Sequence, residues 1–401
     1  MPTIARYFSL YTDDINIANG LIMDDLRRMA RWSKVWKLNF KASKSVEIIF
    51  RSPRQNVRNH PVLWLNNEAI PRNSSHKHLG VTLDCHLNFK SHIDKIILKC
   101  NNMLNPLKSL VSKLNSKHIE RIFMSYILPH LEYGSLLFGS ASQQDLDRLD
   151  RVYYRAGLTV SGCIHGSNTQ KVIKCLGWMS LANRRNEKLS LLVFDSLRNS
   201  LPHYLQQAIN VYKNPIQDAR LRNQRHFRLP ANMSQNMRHS PIPWAIITWD
   251  LLPPAIQNII SRNSFKYNLR SYYRGRKNAL ASTKLNLTRV EEIYLNRSRC
   301  DLVFRSHMHA HNFTTVRNPA CECGNRAQTT KHVLLHCPIL NDPRRQLFHN
   351  LNLISNFENT FRGMDSDSKI STLLFGDPRF THQSNVSIVT GTANFISSVF
   401  T

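Results

Sequence analysis

Apolar and polar positions alternate in two periods along this chain, and the change of period divides it. "RYFSLYTDDINIA" at 6–18 reads as strand, tight turn, strand, with Asp13-Asp14 at the turn. Over 21–37 the period lengthens. Ile22, Leu26, Met29 and Trp36 recur at helical spacing on one face, and Arg27, Arg28, Arg31 and Lys34 cover the other. "SVEIIF" at 45–50 predicts a strand. "VLWLNNEAI" predicts a hairpin with Asn66-Asn67 in the positive-φ turn, and "HLGVTLD" at 78–84 another short strand.

From residue 90 the pattern is helical. Segments 90–114 and 117–134 carry the period, the second broken near Pro129. Ser142 and Asp145 form a capping pattern ahead of "LDRLDRVYYRAGLTV". Residues 182–199, opened by Arg184 and Arg185, predict a further helix that "LPHYL" stops. The Pro-, Arg- and Asn-rich stretch 214–243 reads as an exposed loop. The segment beginning "WAIITWDLLPP" then resumes helix and ends in a basic run, Arg270 to Lys277. "HMHAH" alternates as a strand would, with His307, His309 and His311 on one face. The stretch after 366 is Ser- and Thr-rich and shows no evident chemistry. The fold class expected is α+β.

Charge narrows the function. Lys and Arg number 54 against 26 Asp and Glu, a net +28 spread along the whole chain. Such a surface repels itself unless a polyanion neutralises it, so nucleic acid is the expected partner. Gly 13 and Pro 17 are too few for a low-complexity protein. No apolar run approaches the roughly 20 residues of a membrane span, and the opening residues lack a signal peptide's apolar stretch. Of the 8 cysteines, Cys85, Cys100, Cys163, Cys175 and Cys300 look solitary. That favours a reducing compartment, nucleus or cytoplasm, over a disulfide framework.

Two places could hold metal. Adjacent carboxylates on a strand turn, Asp13 and Asp14, can offer oxygen ligands to Mg²⁺, as two-metal nucleotidyl transfer requires; the plainer reading is a solvated polar turn. In "CECGNRAQTTKHVLLHCP", Cys321, Cys323, His332 and Cys337 make a set of three thiolates and an imidazole suited to tetrahedral Zn²⁺. Thr329 and Thr330 would cap a short helix carrying His332. On that helix His336 lies one turn on and rivals His332 as ligand. The alternative is a Cys-bearing turn packed as ordinary core. Arg317, Arg326, Lys331, Arg344 and Arg345 surround the set and could grip phosphates. Arg27, Arg28 and Arg31 could do the same from their helix face. Tyr153, Tyr154 and Trp249 could stack on bases, but on amphipathic helices they read first as core. There is no Gly-rich phosphate loop, no nucleophile elbow and no acidic set for an RNase H or endonuclease domain.

The order of these elements resembles the reverse transcriptase of non-LTR (LINE-type) retrotransposons. "YTDD" is similar to the family's Tyr-x-Asp-Asp catalytic hairpin, which implies catalytic roles for Tyr11, Asp13 and Asp14. "ASKSVEIIF" resembles the next palm motif, with Lys44 in the place of the nucleotide-handling lysine, and "HLGVTLD" resembles the primer grip, with Leu79 and Gly80 at its turn. "SYILPHLEYGSLLFGSASQQDLDRLDRVYYRA", "WDLLPPAIQNIISRNSFKYNLRSYY" and "CECGNRAQTTKHVLLHCPILNDPRR" resemble thumb, post-thumb and C-terminal segments of these elements. The resemblance covers about 5–350. It implies a partial palm over 1–88, helical thumb and post-thumb over 89–277, a region with the Cys/His cluster over 278–365 and a tail over 366–401. It also implies an RNA template and a DNA target or primer as partners. Two departures stand out. Lys41 occupies a place where the family usually has Asn. The third catalytic carboxylate and the fingers precede the Asp-Asp hairpin in the family, and residues 1–10 contain no carboxylate. Little or no polymerase activity is therefore expected of this chain alone, which leaves a non-catalytic, zinc-containing RNA- or DNA-binding protein as the alternative.

Overall fold

The computed structural model describes residues 15–38, 40–54, 61–111, 113–214, 226–274 and 280–400. The chain is mostly helical with a few short strands, compatible with an α+β class, and divides into two compact units, Met1–Lys95 and Ile96–Thr401. Among the described residues no helix is long and apolar enough to cross a membrane.

In the first unit the helix Ile15–Val35 packs Leu26, flanked by Ile22, Met23 and Ala30, on Ala42, Leu63, Leu65 and Ile70. Arg27, Arg28, Arg31 and Lys34 face solvent, as the pattern requires. Two expectations fail here. Residues 15–18 belong to the helix and not to the second strand of an Asp-Asp hairpin. A helix satisfies its own backbone groups, whereas a strand there would need a neighbour. Trp36 lies past the helix end, 65% exposed, so it is not on the buried face.

The hairpin turn at Asn66-Asn67 forms as expected, with φ of 51° and 64° between Trp64–Leu65 and Glu68–Ala69. "HLGVTLD" is a hairpin and not one strand. Leu79 and Gly80, at φ 43° and 88°, turn Ser75–His78 back onto Val81–Asp84. The expected strand at 45–50 reduces to a single bridge between Glu47 and Arg72, backed by their 2.8 Å ion pair. Pro71 accepts from the Glu47 N–H but has no N–H with which to extend a ladder.

The second unit is helical. Ser142 caps Gln143–Ser161 by accepting from the Asp145 N–H, as its pattern foretold. The break near Pro129 is a π turn over Phe123–Ile127 that hands the chain to Leu128–Glu132. Leu189, Phe194, Ile246, Trp249 and Phe265 build one core, with the Phe194 and Phe265 rings stacked at 4.2 Å. Trp249 and Tyr153 are thus buried in the interior, 1% and 3% exposed. The described part of 214–243 is not simply an exposed loop. Phe227 enters that same core and Lys213 bridges to it.

A second core joins Leu295, Phe304, Val333, Leu334 and Leu347 to Leu373, Ile388, Val389 and Ile396. The Ser/Thr-rich end therefore contributes helices, Ser366–Phe375 and His382–Phe400, to the interior around the Cys/His segment. Its hydroxyls fit because they bond back along the helix, Thr392 Oγ1 to the Ile388 carbonyl at 2.8 Å and Thr372 Oγ1 to that of Ser368 at 2.8 Å. "HMHAH" is helical, within Arg305–Ala310, and not a strand. Alternation alone makes no strand where no partner strand runs alongside.

Candidate metal centre

The Cys/His segment folds on itself through short-range bonds. The Cys321 N–H donates to the Asn325 carbonyl at 2.9 Å and the Gly324 N–H to the Cys321 carbonyl at 3.0 Å. Gly324 takes φ 91°, a turn geometry that lets two cysteines separated by one residue point to the same place. Thr329 Oγ1 accepts from the His332 N–H at 3.1 Å and starts a helical turn, as expected. That turn winds as a π segment, His332–His336, and the Cys337 N–H closes it on the His332 carbonyl at 2.7 Å.

These bonds bring Cys321, Cys323, His332 and Cys337 together, with all four ligand atoms within 4.8 Å of one another. Cys321 Sγ and Cys337 Sγ are 3.7 Å apart, and Cys323 Sγ is 3.1 Å from His332 Nε2. Two sulfurs bound tetrahedrally at about 2.3 Å to one zinc ion stand about 3.8 Å apart, so the sulfur spacing fits. His336, the rival ligand, is exposed and outside the set. Burial, with His336 and Arg344 adding to it, lowers the pKa of His332, which keeps the imidazole neutral and able to coordinate. Burial pushes the Cys337 thiol up to about 11, with Cys321 and Cys323 beside it.

A surrounding layer holds the four in place. Asn325 Nδ2 lies 3.2 Å from His332 Nδ1, on the side of the ring away from the sulfurs, and Gln328 Nε2 donates to Cys321 Sγ at 3.9 Å. Arg344, expected as a phosphate contact, is only 8% exposed and turned inward. Its Nη2 donates to the Cys337 carbonyl at 2.8 Å and the Val333 carbonyl at 3.1 Å. The sequence marked it as basic; only packing shows it to be a brace. Arg345, one position on, is exposed and meets Asp342 at 3.2 Å. Arg317, Arg326 and Lys331 are also exposed around the segment.

The other expected residues are placed less closely. Tyr11, Asp13 and Asp14 lie outside the described residues. Lys44 ends the short turn Ala42–Lys44 and is exposed, as are Leu79 and Gly80 at their hairpin turn. Arg27 meets Asp24 at 2.8 Å and Arg28 meets Asp25 at 3.6 Å along their own helix, exposed pairs that a phosphate could displace at little cost. One expectation about the cysteines is corrected. Cys163, Cys175 and Cys300 are not solitary: Cys300 Sγ stands 3.7 Å from that of Cys163 and 3.9 Å from that of Cys175. No local spacing could have shown this.

Comparison with known proteins adds what the geometry does not carry. The chain is 26% identical over 145 residues to "Probable RNA-directed DNA polymerase from transposon X-element" of Drosophila melanogaster, 35% of this chain and 16% of that protein. It is 23% identical over 202 residues to the RNA-directed DNA polymerase from mobile element jockey of the same fly, 50% of this chain and 20% of that protein. The chain is similar to the RNA-directed DNA polymerases of non-LTR elements. With the jockey polymerase of Drosophila funebris the likeness extends over 235 residues at 22% identity, 54% of this chain and 25% of that protein. The chain thus spans a quarter or less of the length of these curated relatives. No protein-family model and no solved structure matches it.

Proposed function

We propose that this chain is part of the RNA-directed DNA polymerase of a non-LTR retrotransposon, comprising a partial palm, a helical thumb and post-thumb region, and a Cys/His module. The observation that carries this is its similarity to polymerases of that kind over as much as 54% of its length. The succession of "YTDD", "ASKSVEIIF", "HLGVTLD" and "CECGNRAQTTKHVLLHCP" supports it.

In the intact enzyme Asp13 and Asp14 would hold divalent metal, beside Tyr11. Magnesium bound there supplies charge neutralisation at the attacking 3′-hydroxyl and the leaving pyrophosphate. Lys44, exposed at its turn, would meet the phosphates of the incoming nucleotide, and the Leu79-Gly80 turn would steady the primer. Arg27, Arg28, Arg31 and Arg345 would hold the nucleic-acid backbone. Arg344 takes no such role, being committed to two carbonyls. At the Cys/His set four protein ligands leave no open coordination position, so zinc there would stabilise the module and do no chemistry.

The test is primer extension. The isolated chain is expected to bind a primed RNA template and extend it little or not at all, since positioning supplies most of the catalysis. Fused behind the fingers and first palm segment of a jockey-type polymerase, it should extend the primer, and Asp13→Ala should abolish the product. A fusion that extends equally well with Asp13→Ala overturns the reading.

A second reading, a non-catalytic zinc-containing RNA- or DNA-binding protein, is favoured by the Cys₃His geometry. It requires a gel shift whose affinity falls steeply with salt. No shift at low salt removes it.

A further inference from the structure

We propose that Cys163, Cys175 and Cys300 form a second metal site, distinct from the Cys/His set, that takes a divalent thiophilic ion of the zinc or cadmium class. The three residues stand at three helix ends. Cys163 follows Gln143–Ser161, Cys175 closes Thr169–Cys175, and Cys300 caps Arg289–Arg299. All three are buried, 7%, 1% and 5% exposed. Their sulfurs meet at Cys300, at 3.7 and 3.9 Å. Those separations bracket the roughly 3.8 Å expected of sulfurs sharing a zinc-sized ion, and the first equals the Cys321–Cys337 distance.

Charge supplies the second argument. Arg299, the residue before Cys300, is 2% exposed. Its Nε donates to the Leu374 carbonyl at 2.8 Å and its Nη2 to the Leu280 carbonyl at 2.9 Å, while Nη1 has no hydrogen-bond partner. No carboxylate among the described residues pairs with it. A buried, uncompensated guanidinium is costly. Its plane lies over the Phe375 ring, 5.1 Å from the centroid, and that ring packs against the three cysteines. On binding, three thiols release three protons to solvent and a divalent ion takes their place. Three thiolates and a doubly charged cation leave one negative charge, which Arg299 balances. Helix C-termini also favour a cation, and three converge here. A monovalent ion would leave excess negative charge and a trivalent one would leave Arg299 unpaired, so the charge selects a divalent ion. The burial suits an ion taken up as the chain folds.

The experiment counts zinc per full-length chain, purified from zinc-replete medium, by elemental analysis and native mass spectrometry, with free thiols titrated in parallel. Two ions per chain are expected. Cys300→Ser should lose one and keep the other, Cys337→Ser should lose the other, and the double variant should hold none. Cys163→Ser and Cys175→Ser should each reproduce the Cys300→Ser loss, which guards against misfolding of any single variant. An ion lost with Cys300→Ser but not with Cys337→Ser upholds this site even if the Cys/His set proves empty. One ion per chain that Cys337→Ser removes and Cys300→Ser retains overturns the proposal. So does a wild-type chain lighter by two hydrogens and two titratable thiols short, which would mean a disulfide.

Discussion

Two groups of cysteines in this protein place sulfurs 3.7 Å apart, and they get there by opposite routes. Cys321, Cys323, His332 and Cys337 lie within one short segment and are gathered by its own turn and capping bonds. Cys300 stands 137 positions from Cys163 and 125 from Cys175. That group exists only because helices dock. Asn296 Nδ2 donates to the Ser161 carbonyl at 3.0 Å, Arg297 Nε to that of Gly162 at 3.0 Å and Arg289 Nη1 to that of Val160 at 2.8 Å. Lys171 pairs with Asp301 and secures the third helix. A local chelate announces itself by spacing, whereas a tertiary one has no signature until the packing is known.

The comparison can be broken at either group. Metal removal should have the largest effect. A chelator that strips the Cys/His set should free the segment around 318–340 to exchange its amide hydrogens, because structural zinc contributes on the order of 10 kcal/mol in small modules. With the Cys337 thiol pushed up to about 11, binding must displace a proton there, so zinc affinity should weaken as pH falls. A zinc competition titration at two pH values checks the sign. His332→Ala should abolish binding and His336→Ala leave it unchanged.

Next in size is Phe304→Ala, which empties a fully buried ring site beneath Val333 and Leu334. It should cost about 3–5 kcal/mol in urea unfolding. A matched pair then separates the groups. Arg344→Ala strips the carbonyls of Val333 and Cys337 of a donor, and Asn296→Ala does the same to that of Ser161. Each should cost about 1–3 kcal/mol. Arg344→Ala should also weaken zinc binding by roughly tenfold or more, as loss of a supporting contact does. Asn296→Ala should leave zinc at the Cys/His set untouched. The smallest effect is expected from Thr288→Ala, which removes the capping box at the start of the helix that carries Cys300. About 1 kcal/mol is expected, read as a shift of the unfolding midpoint.

The errors of the sequence reading share one cause. The helix over 15–35, the strand expected at 45–50 and the helical "HMHAH" all sit where period-two patterning promised strands. A strand is completed by a neighbour, and the pattern of one segment does not say whether a neighbour exists. Turns and caps fared better, because Asn66-Asn67, Leu79-Gly80, Ser142 and Thr329 are satisfied by atoms within a few residues.

By itself the sequence determined the helical character from residue 90 onward, the basic surface, the likeness to non-LTR polymerases and the four members of the Cys/His set. Each of these is written in composition or in bonds spanning a few residues. Tertiary structure alone decided that His336 stays outside that set, that Arg344 turns inward as a brace, that the Ser/Thr-rich end lines a core, and that three distant cysteines meet beside a buried arginine. Those outcomes depend on which faces of separate helices exclude water together, and no local pattern encodes the partner.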